Sequence, residues 1–373
     1  MRVLQIIDSL VAGGKERQLI ELLKGLKAAP GIVSALVVLS DVVQYDEFAG
    51  LNVTTHVLPR RSRYDLSVLP RLWRVMRAFR PDVVHSWNAM CSIYAAPLAR
   101  LSGAKFVDGF IRSAPAGLTM RDPEFLRGRL TRPLATRVLA NSMAGLASFG
   151  VPAGRGECIH NGFDFGRLGR VVDPDAMRRA LGLGPGPVVG MVGSLSDAKD
   201  YDSFIALAAS VAAVRNDVTF LVVGDGPHRE RLEQLAAKSG ACVHFLGRRG
   251  DVESIVNIFT IGVLLSVNGE GISNAIMEYM AFAKPVIATN CGGNGEIVEE
   301  GHTGFLIAVR DVPALTEHVL RLLDDPNRAA ILGLRGRERL RERFGLERMT
   351  REHVRLYGRI LARGGRLDDG RVA

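Results

Sequence analysis

Two glutamates eight positions apart, Glu270 and Glu278, carry the most chemical information in this chain of 373 residues. They stand in the stretch Gly269-Glu270-Gly271-Ile272-Ser273-Asn274-Ala275-Ile276-Met277-Glu278. The loop holding Glu270 and Gly271 turns into a helix near Ser273, whose hydroxyl can cap it, so the first backbone N–H groups, from Gly271 to Asn274, point outward. Such a helix end attracts anions, and a diphosphate suits it. Glu278 falls about one turn into the helix, roughly 6 Å along the axis from Asn274, where a carboxylate can receive the hydroxyls of a ribose. Glu270, ahead of the helix, would lie on the other side of that diphosphate, where a sugar attached to it would sit.

The elements that position these residues alternate. Val3 to Ile7 reads as a short apolar strand, followed by a glycine loop at Gly13-Gly14 and an amphipathic helix from about Glu16 to Ala28, with Leu19, Leu22, Leu23 and Leu26 on one face. A second strand (Ile32 to Leu39), a helix carrying Leu69, Leu72, Trp73, Met76 and Phe79, and the strand Asp82-Val83-Val84-His85 continue the pattern. It restarts at Pro187 to Gly193, with a helix from about Tyr201 to Val214 and a strand from Val218 to Val223. Strands alternating with helices imply parallel sheets wound on both faces, here two of them, joined through the glycine- and proline-rich stretch from about Gly166 to Pro187. The expected division is a first domain over residues 1–168, a second over 169–345, and a C-terminal helix and tail over 346–373. A cleft between two such domains is the default ligand site.

Bulk properties exclude several classes. No window approaches the roughly 18 uninterrupted apolar residues of a membrane span. The start carries Asp8 and no small-residue cleavage site, so a buried strand fits it better than a signal peptide, and a cytoplasmic location is expected. Cys91, Cys158, Cys242 and Cys291 are far apart with no CxxC pair, which fits reduced thiols and argues against structural zinc. The net charge of +9 hides a polarity: residues 1–172 hold 23 Lys+Arg against 13 Asp+Glu, residues 173–327 hold 12 against 20, and residues 328–373 hold 13 against 6. Basic surfaces attract nucleic acid, anionic lipid or phosphorylated small molecules. Aromatic-basic interleaving and base-reading motifs are missing, so no nucleic-acid partner is expected.

The segment from Glu270 to Thr289, followed by Gly292-Gly293-Asn294-Gly295-Glu296 and Gly301-His302-Thr303-Gly304-Phe305, resembles the donor-site signature of the family-4 glycosyltransferases, retaining enzymes of the GT-B fold. The resemblance extends over almost the whole chain, through Gly13-Gly14-Lys15-Glu16-Arg17, Pro81-Asp82-Val83-Val84-His85, Ala140-Asn141-Ser142, His160-Asn161-Gly162, Val192-Gly193-Ser194, Val223-Gly224-Asp225-Gly226-Pro227 and Phe245-Leu246-Gly247. It implies two Rossmann-like domains facing a cleft, with the C-terminal helix crossing back to the first. It also implies that Glu270 contacts the donor sugar, Glu278 the ribose, and Lys199 the leaving diphosphate. Gly14 would allow the first domain's backbone to approach the diphosphate, and His85 would reach the transferring sugar.

Two departures stand out. Ser194 takes the place of an arginine that commonly follows the motif's glycine, so charge stabilisation rests on Lys199 and helix N-termini, or on Arg248 or Arg249. Trp87 takes the place of the second histidine of a His-x-His pair. The resemblance further implies front-face transfer without a metal, and no Asp-x-Asp motif of the kind other glycosyltransferases use to hold one is read here. The acceptor expected is a glycan or a lipid-diphosphate-linked sugar in cell-surface polysaccharide synthesis, met by Trp87, Arg112 and a basic face that also touches anionic membrane. Arg60, Arg61, Arg63, Arg71, Arg74, Arg77, Arg127, Arg129 and Arg132 are its expected contributors. The alternative is a relative that keeps the donor site but acts as an epimerase or a non-catalytic binder.

Overall fold

The computed structural model describes residues 1–11, 13–42, 48, 50–62 and 65–362. They form two compact units, Met1–Gly162 together with the segment from Leu346, and Phe163–Gly345.

In the first unit β1 (Arg2–Ile7), β2 (Val33–Val38), β3 (Thr54–Val57), β4 (Val83–Ser86), β5 (Lys105–Ile111), β6 (Arg137–Ala140) and β7 (Gly156–Cys158) build one sheet in the order β3-β2-β1-β4-β5-β6-β7. Every pairing is parallel. The chain winds outward to β3 and then returns to lay β4 against β1. That reversal leaves a crevice beyond the carboxyl ends of these two strands. Near-continuous apolar strands such as Val3 to Ile7 require cover on both faces. On one face Leu19, Leu22, Leu23 and Leu26 of the helix Gly14–Ala28 share a core with Met349, Leu356, Tyr357 and Ile360 of the helix Leu346–Ala362. On the other, Leu72 and Met76 of the helix Val68–Phe79 and Tyr94 and Ala95 of the helix Ala89–Ser102 pack on Leu4, Ile6 and Val84.

The second unit repeats the winding with β8 (Val188–Val192), β9 (Thr219–Val223), β10 (Val243–Phe245), β11 (Ile261–Leu264), β12 (Val286–Thr289) and β13 (Gly304–Ile307), in the order β10-β9-β8-β11-β12-β13. Its crevice therefore lies beyond β8 and β11. Tyr279 ties those two strands together beneath it, accepting from Val192 N at 2.7 Å and donating to Val263 O at 3.1 Å. The unit closes where its ends meet, Phe163 N donating to Phe344 O at 2.8 Å. Among the described residues no helix is long and apolar enough to cross a membrane.

Candidate active site

Two loops flank the second unit's crevice, one after β8 and one after β11. Lys199 and Ser266 meet across them as an isolated antiparallel bridge. The bridge brings Lys199 Nζ onto the Glu270 carboxylate and within 3.3 Å of Ser266 Oγ, which itself donates to Glu270 Oε1 at 2.8 Å. Burial alone would raise the Glu270 pKa. The Lys199 charge and the hydrogen bonds from Lys199 and Ser266 outweigh it and hold the carboxyl below its usual range. The backbone is fixed as well: Glu270 bridges Gly292, and Gly293 N donates to Glu270 O at 2.7 Å. Gly292 has a φ of +60°, and a Cβ there would stand 2.2 Å from Glu270 O. The glycine pair after β12 thus places an acid contributed by the loop after β11.

The helix Asn274–Ala281 starts immediately beyond, with Ser273 at its N-cap position. Its hydroxyl makes no capping hydrogen bond, contrary to the expectation. The extended backbone of Ser273 (φ −77°, ψ 128°) makes the turn without one. Gly271, Ile272 and Ser273 are buried and Asn274 is half-buried. Glu278 is buried too, and it is ion-paired. Arg167 Nη2 donates to Glu278 Oε1 at 3.0 Å, and Arg167 Nε donates to Glu253 Oε1 at 2.7 Å. The guanidinium lies 4.9 Å from the centre of the Phe163 ring. Arg167 escapes sequence reasoning because it sits in the glycine-rich connecting stretch, with no periodicity or motif to single it out.

The remaining residues expected on the donor side divide. Ser194 is exposed and shares a 3.0 Å hydrogen bond with Ser196. Arg248 is exposed, whereas Arg249 is spent on a two-pronged pair with Asp251, at 2.8 and 2.7 Å. The loops after β8, β9 and β10 touch backbone to backbone, with Leu195 N on Asp225 O and Gly224 N on Gly247 O. The sequence does contain two Asp-x-Asp strings, and the structure employs both otherwise. Asp173 caps the helix Pro174–Ala180, Asp200 caps the helix Tyr201–Ala212, and Asp202 pairs with Arg231 at 2.7 and 2.8 Å.

In the first unit Gly13 is the extended N-cap and Gly14 the first residue of the helix Gly14–Ala28. Next to them Lys15 Nζ meets Asp8 Oδ1 at 2.5 Å. Asp8 also lines a cavity of about 350 Å³ with Arg60, Asn88, Met90, Glu124 and Arg127, at the crevice beyond β1 and β4. Arg60 and Arg127 have no carboxylate partner among the described residues. Of the other expected arginines, Arg71 pairs with Asp65 at 3.4 Å and Arg132 is bound to the carbonyls of Phe149 and Gly150. Arg63 lies outside the described residues. On β5, Asp108 is buried and accepts from Ser92 Oγ and Thr131 Oγ1, both at 2.6 Å. Burial, against these hydroxyls, raises its pKa to about 6.

His85 and Trp87 are not at the crevice surface. Both are 0% exposed, stacked with ring centres 5.2 Å apart. His85 alternates with Val84 and Ser86 along β4, which turns it toward the helix Leu346–Ala362, and its Nδ1 lies 2.8 Å from Tyr357 Oη. Arg112, half-buried, covers Trp87 with its guanidinium 4.1 Å from the ring centre, and burial lowers its pKa to about 10. The direct substrate contacts expected of His85 and Trp87 do not fit this enclosure, since no atom of either ring is open to a ligand.

The chain is similar to known proteins over most of its length. The family described as Glycosyltransferase Family 4 matches residues 12–167, and that described as Glycosyl transferases group 1 matches residues 186–325. The GDP-mannose-dependent alpha-(1-6)-phosphatidylinositol monomannoside mannosyltransferase of Mycolicibacterium smegmatis is 30% identical over 321 residues, covering 79% of this chain and 81% of that protein. The 2-deoxystreptamine glucosyltransferase of Streptomyces kanamyceticus is 26% identical over 304 residues, covering 75% and 77%. Among solved structures, Anabaena HepE in complex with UDP and glucose superposes with a TM-score of 0.84 at 21% identity, covering 96% of this chain and 99% of that one.

Proposed function

Because this chain belongs to the family-4, group 1 glycosyltransferases, we propose that its second unit holds a UDP- or GDP-linked hexose along the edge from Lys199 to Glu278 and transfers it with retention. The chain is a nucleotide-sugar-dependent glycosyltransferase, and the residues assigned below are its proposed working parts. The observation that carries the assignment is the Lys199–Ser266–Glu270 knot beside the start of the helix Asn274–Ala281.

An arriving diphosphate competes with Glu270 for Lys199, since both are anions within its reach. The lysine then balances charge on the diphosphate together with the helix N-terminus, and Glu270 turns to the hydroxyls of the sugar. Glu278, held by Arg167, receives the ribose. In the transfer step the bond from the anomeric carbon to the diphosphate oxygen breaks and its electron pair stays on that oxygen. The same oxygen takes the proton of the acceptor hydroxyl, whose oxygen bonds to the anomeric carbon from the same face. Lys199 stabilises the leaving group without a metal bridge. The acceptor is a glycan or lipid-linked sugar of the cell surface, held at the cavity lined by Asp8, Asn88, Arg60 and Arg127. Support for that class comes from the phosphatidylinositol mannoside in the name of the mycobacterial relative.

The experiment is a thermal-shift screen against uridine, guanosine and adenosine diphosphate hexoses, followed by transfer in excess chelator and determination of product configuration. One donor should raise the melting temperature in proportion to the logarithm of its concentration, and the product should keep the donor's anomeric configuration with chelator present. Inversion would overturn the front-face route, and a strict divalent-ion requirement would overturn the metal-free step.

A further inference from the structure

A buried hydrogen-bond chain links the ends of β1 and β4 to the helix Leu346–Ala362, and its direction can be read from donor chemistry alone. Trp87 Nε1 lies 2.7 Å from the Gln5 side-chain oxygen. An indole nitrogen can only donate, so the amide oxygen must face it and the amide NH₂ must face the other way. There it donates to Tyr357 Oη at 3.2 Å. Tyr357 is 0% exposed, and His85 Nδ1, at 2.8 Å, is the one other hydrogen-bond partner of its hydroxyl among the described residues. The phenolic proton therefore belongs to the bond with His85 Nδ1, which accepts it.

We propose that Trp87, through Gln5 and Tyr357, fixes His85 as the tautomer carrying its hydrogen on Nε2, and that Tyr357 and Gln5 are positioning residues for the acceptor edge of the first unit. His85 is then neutral and not a base: its Nδ1 is occupied by the phenol, and its Nε2–H is enclosed with no hydrogen-bond partner among the described residues. The chain ends directly under that edge: Asn88, which follows Trp87, and Asp8, three residues beyond Gln5, both line the cavity described above. Trp87 N also donates to Ile6 O at 3.0 Å, locking the two strand ends together. Neutrality is supported independently, because burial, then the charges of His353 and Arg112, push the His85 pKa well below its ordinary value. His353 supplies an internal contrast. Its Nδ1 faces the Met349 carbonyl at 2.9 Å, an acceptor only, so this imidazole carries its hydrogen on Nδ1.

The positioning role rests on the proposal that this edge holds the acceptor; the tautomer does not, and it can be measured without donor or acceptor. Nitrogen-15 spectra of the full chain with labelled histidine should show His85 protonated on Nε2 and His353 on Nδ1. In Trp87→Phe the Gln5 amide is free to turn over, so the chain can reverse and His85 should gain the Nδ1–H form while His353 stays as it was. Tyr357→Phe should give a mixture at His85 and raise the acceptor KM several-fold at unchanged donor affinity. A wild-type His85 protonated on Nδ1, or one that ignores Trp87→Phe while the fold holds, overturns the proposed relay. An acceptor KM unmoved by Tyr357→Phe overturns the positioning role. Absence of transfer by the wild-type chain with any donor condemns the functional reading and leaves the tautomer test standing.

Discussion

Replacing Gly292 by alanine should damage transfer by displacing Glu270, an effect separable from lost stability. The residue has a φ of +60°, which costs a side chain roughly 1–2 kcal/mol. The new methyl would also stand 2.2 Å from Glu270 O and 2.6 Å from Glu270 N. Relieving these contacts means moving the Glu270 backbone by about 1 Å, a misplacement able to cost on the order of 100-fold in rate. Gly240 provides the control. Its φ is +70°, in the same left-handed region, but a Cβ there meets nothing within 4 Å. Gly240→Ala should therefore share the backbone strain without moving the acid. The assay is kcat for transfer alongside thermal melting. Gly240→Ala should lose only the strain, Gly292→Ala about 1–3 kcal/mol more from the displaced contacts, and Gly292→Ala alone should lose about two orders of magnitude in kcat. Equal kcat in the two variants would refute the idea that the glycine pair positions Glu270.

Other consequences are as direct. Asp108 is buried with its pKa raised from 3.8 to about 6, so the folded state favours the protonated acid. That contribution is complete below the unfolded pKa and is lost as pH rises through about 6, leaving a penalty of up to ~3 kcal/mol at neutral pH. Asp108→Asn should remove the slope and raise the melting temperature at pH 7.5 but not at pH 4, because Thr131 and Ser92 keep the carbonyls of Arg127 and Asn88 as partners; an unchanged slope in chemical denaturation across this range would count against it. Lys199→Met leaves Glu270 in partial burial without its cation. It should lower kcat by at least 100-fold and destabilise the fold by roughly 1–3 kcal/mol above pH 5, a difference that shrinks as acid protonates Glu270. Kinetics and melts equal to wild type would remove Lys199 from the site.

The alternation of strands and helices announced two doubly wound parallel sheets, and the crevice of each follows from winding order alone. Glu270 and Lys199 were each legible as donor-site residues, Glu270 as a loop acid before a helix and Lys199 through the family resemblance, but not as partners of one another. What escaped is long-range. Arg167 reaches Glu278 across 111 positions, and Tyr357 reaches His85 across 272. No periodicity reports such pairs. His85 and Trp87 looked available because β4 ends at the crevice, but the alternation of side chains along a strand turns them to the face that the helix Leu346–Ala362 covers. The Asp-x-Asp strings show the converse: each is visible in sequence, and each is occupied by capping or by an ion pair.

The first unit is discontinuous, and this matters while the protein is being made. The ribosome must deliver all of residues 163–345 before the helix Leu346–Ala362 exists to cover β1 and β4. Until then Val3, Val83 and Trp87 lack their apolar lid, and the imidazole of His85 lacks its phenol. A nascent first sheet therefore offers an open, sticky face throughout synthesis of the second, a natural target for holding chaperones. The second unit, continuous from Phe163 to Gly345, has no such wait.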